Sequence, residues 1–165
     1  MIKYKYWLLP VLWMGVIYYS SATPYEEQDI KPFLSDTIDL SFLVPLFDWI
    51  TFQYHNSEVS VSVLGIEGFI EFFVRKGAHV TVYFILFSLF FLAIKKTLSV
   101  SLSKTLVFSM VFTSMYAILD EFHQGFTQNR TPYIGDVGLD LFGAAMAMAF
   151  IILICTWKRK RKSVS

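Results

Sequence analysis

The chain has 165 residues, of which 55% are hydrophobic and 18% aromatic, with a formal net charge of +1 and a mean hydropathy of +0.53. A soluble domain of this size is about 45–50% apolar, so the composition argues against a water-soluble domain and makes lipid the solvent for much of the chain. The single cysteine, Cys155, excludes an internal disulfide and lies in an apolar run as a small hydrophobic filler.

No internal repeat and no Gly/Ser linker divides the sequence, so residues 1–165 form a single domain. A bilayer core of about 30 Å needs about 20 predominantly apolar helical residues. Four segments meet or approach that length, at about 6–22, 77–94, 102–119 and 137–157. Pro10 and Gly15 fall inside the first, and membrane helices tolerate both. The start of the chain also has an alternative reading. Lys3 and Lys5, an apolar run and then Ser20, Ser21 and Ala22 have the layout of a cleavable signal peptide, and cleavage would leave three spans.

Between the first and second spans lies a long polar and aromatic loop. From Ile38 to Tyr54, apolar residues such as Phe42, Leu46, Phe47 and Trp49 alternate with Asp39, Asp48 and Gln53, with Pro45 as a break. That pattern predicts an amphipathic segment at the membrane interface. The alternation of Ser57 to Val63 predicts a short strand, and Ile66 to Val74 a helical run-in to the second span. His55, between Tyr54 and Asn56, is expected to be solvated and unrelated to any site.

In the second span, Phe84, Phe87, Phe90 and Phe91 predict lipid contact and core packing. In the fourth, Gly143, Ala144, Ala145, Ala147 and Ala149 predict a small-residue face for close helix approach. The basic run at 158–162 is a stop-transfer and headgroup signal rather than a nucleic-acid tail.

Charge sets the orientation, because Lys and Arg gather on the cytoplasmic side of short loops. With the N-terminus inside, Lys3, Lys5, Lys95, Lys96, Lys104 and the basic run at 158–162 are cytoplasmic, which is ten of the fourteen basic residues. Lys31, Arg75, Lys76 and Arg130 remain outside with all thirteen acidic residues. The expected architecture is therefore an all-α, multi-pass protein of the cytoplasmic membrane, with four spans, both termini inside and a long outer loop.

The outer helix ends hold the chemistry. Glu71, Arg75 and His79 follow an i, i+4, i+8 stripe with Lys76 beside it, Asp120 is three and four residues before His123 and Gln124, and Asp136 and Asp140 repeat the i+4 spacing. Three helices thus bring ionisable groups to one depth. Such groups are costly near hydrocarbon unless they meet a partner or a wet cavity.

Several readings stay open at this point. The bland one is a self-neutralised ion-pair network fixing helix packing, as in a structural or assembly partner. An anion site would use Arg75, Lys76, His79 and Arg130, with Asp120, Glu121, Gln124, Asp136 and Asp140 in support. An enzyme would use His79 or His123 as acid or base with Asp120 or Glu121. Asp120, His123, Asp136 and Asp140 could hold a divalent metal, but no HExxH or comparable pattern accompanies them, so neither metal nor cofactor is expected.

RKGAHVTVYFIL (75–86) and DEFHQGFTQNRTPYIGDVGLDLFG (120–143) resemble the VanZ-like family of small bacterial membrane proteins. The likeness lies in an Arg-Lys-x-x-His entry to one span, an Asp-Glu-x-x-Gln pair at the end of the next, an Arg after the turn, and an Asp-Val followed by a Gly. SSATP (20–24) is similar to the Ser-Ser-x-x-Pro that closes the family's first helix. One departure is Asp140, where the family usually has Asn. The resemblance implies a cell-envelope protein, and the family's namesake is associated with reduced susceptibility to teicoplanin. The expected partner is a membrane lipid or a lipid-linked cell-wall precursor, recognised by an outward-facing polar pocket. The sequence fixes neither the oligomeric state nor the choice between binding and catalysis.

Overall fold

The computed structural model describes residues 2–128 and 130–164, with side chains described for 3–128 and 130–161. It is 80% helical. A 3-10 stretch, Ile2–Trp7, leads into α1, Leu8–Ala22. A 3-10 turn (Tyr25–Gln28), α2 (Lys31–Thr37), a second turn (Ser41–Leu43), α3 (Val44–Phe47) and the antiparallel strands β1 (Thr51–Tyr54) and β2 (Ser57–Ser60) follow. The long helices α4 (Val61–Thr97), α5 (Leu102–Gln124) and α6 (Ile134–Val164) complete the chain.

Three helices, Val61–Thr97, Leu102–Gln124 and Ile134–Arg161, are long and apolar enough to cross a membrane. The first segment is shorter, with 15 residues of α-helix after six of 3-10 helix. It nonetheless belongs to the bundle. Trp7 donates to Thr97 Oγ1 at 3.1 Å, Trp13 to the Val82 carbonyl at 2.9 Å, and Tyr116 on α5 donates to the Met14 carbonyl at 2.6 Å.

The expected second span, 77–94, is the apolar part of a longer element, since its run-in is continuous with it and α4 starts at Val61. Between Lys76 and Lys95 its uncharged stretch rises about 27 Å at 1.5 Å per residue, close to one hydrocarbon thickness. Gly65, with φ +70°, interrupts the helix near its start, in a left-handed conformation that costs glycine no clash.

The loop expected as one interfacial segment is instead a folded cap. Leu40, Val59, Val61, Ile66 and Phe69 form its own buried cluster. Phe42, Leu46 and Trp49 stay exposed. The expected strand at 57–63 stops at Ser60, because the Ser60 hydroxyl accepts the Val63 N–H at 3.3 Å and caps the helix that follows. His55 and Asn56 both have positive φ, 49° and 60°, the two-residue turn that matches strand twist. That turn lays the His55 ring on Tyr133 with centroids 4.5 Å apart, so His55 is not simply solvated.

Helix α4 lies at the centre and packs against α1, α5 and α6. Phe87 and Phe90 are buried, while Phe84 and Phe91 pack at the margin of a cluster with Leu106, Ala144 and Ala147. The small face of α6 is narrower than the run of alanines suggests. Gly143, Ala144 and Ala147 are buried, Ala145 only half so, and Ala149 is exposed, because 3.6 residues per turn cannot bring all five to one side.

At Gly143 the helices nearly touch, and a Cβ there would lie 2.2 Å from the Val80 carbonyl oxygen. On α5, Thr105, Ser109 and Thr113 are buried, and each donates to the carbonyl four residues earlier at 2.7–3.0 Å. The Lys96 ammonium lies 6.0 Å from the Tyr6 ring. The ends bearing Lys3, Lys5, Lys95 and Lys96 therefore meet at one end of the bundle, and the carboxylates gather at the other.

Candidate functional site

Helix spacing places the α4 residues. Arg75 turns back onto Glu71, with Nη2 2.8 Å from Glu71 Oε1, and Glu71 is 2% exposed. Its guanidinium also donates to the Gln28 carbonyl at 3.0 Å and lies 3.9 Å from the Tyr25 ring centroid. Lys76 binds Asp136 Oδ1 at 2.6 Å and stacks on Tyr54 at 4.4 Å. Tyr54 donates to that same Asp136 oxygen. Burial and this hydrogen bond push the Tyr54 hydroxyl above the ordinary tyrosine value, so it remains a donor across physiological pH.

One turn deeper, His79 Nδ1 is 2.9 Å from Asp140 Oδ1, and Asp140 is 1% exposed. The close approach at Gly143, one turn along α6, is what lets this pair meet. On α5, Asp120 accepts from Tyr83 at 3.3 Å and from Gln124 at 3.0 Å. Asp120 Oδ1 and Asp140 Oδ2 are buried and make no hydrogen bond among the described residues. Glu121 accepts the Tyr133 N–H, which holds the turn entering α6.

Arg130 differs from the other cations. It donates to Gln28 Oε1 at 2.7 Å, to Gln124 Oε1 at 3.2 Å and to the Ser20 carbonyl at 3.2 Å. All three acceptors are neutral, and among the described residues no carboxylate lies within ion-pair distance of it. Burial, and then the neighbouring Arg75, hold its pKa below the ordinary arginine value. Asp120 and Glu121 attract it from beyond contact; it stays charged at any physiological pH, and a half-buried cation with no carboxylate in contact is expensive.

These groups surround a cavity of about 360 Å³. Of the residues singled out by sequence, Arg75, Lys76, His79, Asp120, Gln124, Arg130 and Asp136 line it, whereas Glu121, His123 and Asp140 do not. The shared face expected for Asp120, His123 and Gln124 holds only for Asp120 and Gln124. His123 is turned toward α1, its ring stacked on Tyr18 with centroids 4.3 Å apart. No group of three or more His, Cys, Asp or Glu side chains is arranged to hold a metal among the described residues.

Sequence reasoning missed Tyr83, Tyr25, Gln28 and Tyr54. Tyr83 continues the 71, 75, 79 stripe by one more step of four, so the same spacing could have found it. Tyr25 and Gln28 follow directly on SSATP, but nothing local marks them as ligands of Arg75 and Arg130. Tyr54 reaches Asp136 across 82 positions of sequence, a contact that no local pattern carries.

No curated protein and no solved structure matches the chain. The VanZ/LLP1 family model matches residues 6–155. With Arg75, Lys76, His79, Asp120, Gln124 and Arg130 of its motifs now seen around one cavity, this match makes the chain a member of the VanZ/LLP1 family.

Proposed function

We propose that this protein is a four-span protein of the bacterial cytoplasmic membrane, both termini inside, whose outward-facing cavity recognises an anionic lipid or peptidoglycan-precursor group. One observation carries the reading: Arg130, half-buried at the cavity wall beside Arg75, is held only by neutral oxygens. A phosphate or carboxylate entering there would supply a contacting counter-charge and accept from a guanidinium fork. Glu71 and Asp136 hold Arg75 and Lys76 in place. The charge division between the ends of the bundle supports the orientation. The bonds from Tyr116 and Arg130 to carbonyls of the first segment support its retention as a span.

Family membership suggests a biological readout, altered susceptibility to teicoplanin. The test is expression of the wild type and of Arg130→Gln in a susceptible host, with membrane insertion checked by fractionation. The proposal expects a shift in teicoplanin susceptibility that the variant abolishes at equal membrane abundance. An effect of full size in Arg130→Gln would count against the anion site.

A second reading has its own support. His79 stands between buried Asp140 and the cavity, an imidazole oriented by a carboxylate as general-base chemistry requires. Turnover of a lipid-linked substrate by purified protein, lost in His79→Ala, would favour an enzyme. Binding without turnover would favour recognition alone.

A further inference from the structure

We infer that the ligand of this cavity is an anionic amphiphile entering sideways from the lipid, its charged group at Arg130 and Arg75 and the start of its hydrocarbon chain between α1 and α4. This rests on the anion-site reading above and specifies what carries the anion.

The cavity has two chemically different rims. Near the cap it is edged by Arg75, Lys76, Gln28, Arg130 and the exposed Thr131. Along α4 the lining then descends through Ala78 and His79 to Val82 and Tyr83, about 12 Å below Arg75 at 1.5 Å per residue. Opposite, α1 contributes Ser20 and Ser21 and, deeper, Ile17 and Val16. Val16, 54% exposed, and Ala78 are both open to the surroundings while lining the cavity. The space therefore opens laterally between Val16 and Ala78, where Ile17 and Val82 give it an apolar side and His79, Tyr83 and Asp120 also line it. A free phosphate or sugar phosphate would leave the apolar surface of Val16, Ile17, Ala78 and Val82 against water, whereas the first methylenes of an alkyl chain would cover it.

Two further observations limit the ligand. The volume, about 360 Å³, lies at the small end of ligand sites, roughly 300–1,000 Å³, so it takes a headgroup and a few methylenes rather than a whole lipid. Below the opening, Trp13 bridges α1 to the Val82 carbonyl at 2.9 Å. The chain therefore leaves between Val16 and Ala78 instead of running deeper between the helices.

The test uses full-length protein in nanodiscs of phosphatidylcholine containing phosphatidylglycerol, with bound lipid read by native mass spectrometry. Lysophosphatidylglycerol and glycerol 3-phosphate serve as competitors. Wild type should retain phosphatidylglycerol over phosphatidylcholine, and lysophosphatidylglycerol should displace it about a hundredfold more effectively than glycerol 3-phosphate, the worth of roughly three or four buried methylenes. Ala78→Trp and Val16→Trp each fill the lateral opening from an exposed position, so folding should survive, and both should lose retention.

Equal displacement by the two competitors, with both tryptophan variants binding as wild type, would overturn lateral entry and leave a site for a free anion. Undiminished retention in Arg130→Gln would overturn the anion site itself. Those two failures are distinguishable because in the first retention still depends on the Arg130 guanidinium, and in the second it does not.

Discussion

Gly143→Ala removes the closest approach between α4 and α6. A Cβ at that position would meet the Val80 carbonyl oxygen at 2.2 Å, its carbon at 2.9 Å and the Val80 Cα at 3.0 Å. These are backbone atoms, so no side chain can swing aside. Restoring an ordinary contact of 3.4 Å from 2.2 Å requires the helices to part by about 1.2 Å. His79 precedes Val80 by one residue and Asp140 precedes Gly143 by one turn, so the same movement stretches their 2.9 Å hydrogen bond beyond bonding distance.

Overpacking typically costs about 1–3 kcal/mol, and the lost bond to a buried carboxylate adds about 1–3 kcal/mol. At about 2–4 °C per kcal/mol for a chain of this size, the melting temperature in detergent should fall by at least about 4 °C. Gly138→Ala is the control. It lies on the same helix with nothing within 4 Å of its Cβ position, and the higher helix propensity of alanine should leave it neutral or slightly stabilised. Equal melting temperatures for the two variants, with His79 unperturbed by NMR, would refute the close-approach argument.

Four further outcomes follow from the site. Glu71→Ala strands Arg75 and should destabilise by about 3 kcal/mol; adding Arg75→Ala should recover part of that loss in a double-mutant cycle of melting temperatures. Asp140→Asn keeps an acceptor for His79 and restores the amide usual in the family, so its melting temperature should stay near wild type. Asp140→Leu, by contrast, should lose about 1–3 kcal/mol through an unsatisfied imidazole. Tyr54→Phe removes the cap's hydrogen bond to Asp136, and proteolysis at residues 48–60 should accelerate while the melting of the long helices is unchanged. If Lys76→Asp with Asp136→Lys restored full function to inactive single variants, the cluster would be packing glue rather than a binding surface.

Much of this arrangement is legible in sequence because helices and membranes both impose local rules. The apolar stretch bounded by Arg75, Lys76, Lys95 and Lys96 announces itself, since hydrocarbon thickness sets its length. The stripe 71, 75, 79 is visible because one face of a helix repeats about every fourth residue. His123 shows the limit of that rule: three- and four-residue spacings share a side of the helix, but the small angle between them decided that Gln124 meets Asp120 while His123 meets Tyr18. The cap was harder to read. Its hairpin turn, its buried cluster and the reach of Tyr54 to Asp136 depend on tertiary contacts, and its short elements leave no periodicity long enough to detect.

The hydroxyl ladder of α5 bears on how such a protein is assembled. Thr105, Ser109 and Thr113 each give their proton to their own helix, so the face that will be buried asks nothing of its neighbours. The segment can enter a bilayer with these three hydroxyls already satisfied and dock later through small, close-fitting surfaces. Its bonds to other parts of the chain come late, from Tyr116, which donates to the Met14 carbonyl, and from the last turn at Asp120, Glu121 and Gln124. The order of biogenesis is thereby biased: the lipid-embedded length of α5 can exist before its partners arrive, and the cavity wall is completed last, when the turn carrying Arg130 and Tyr133 closes over it.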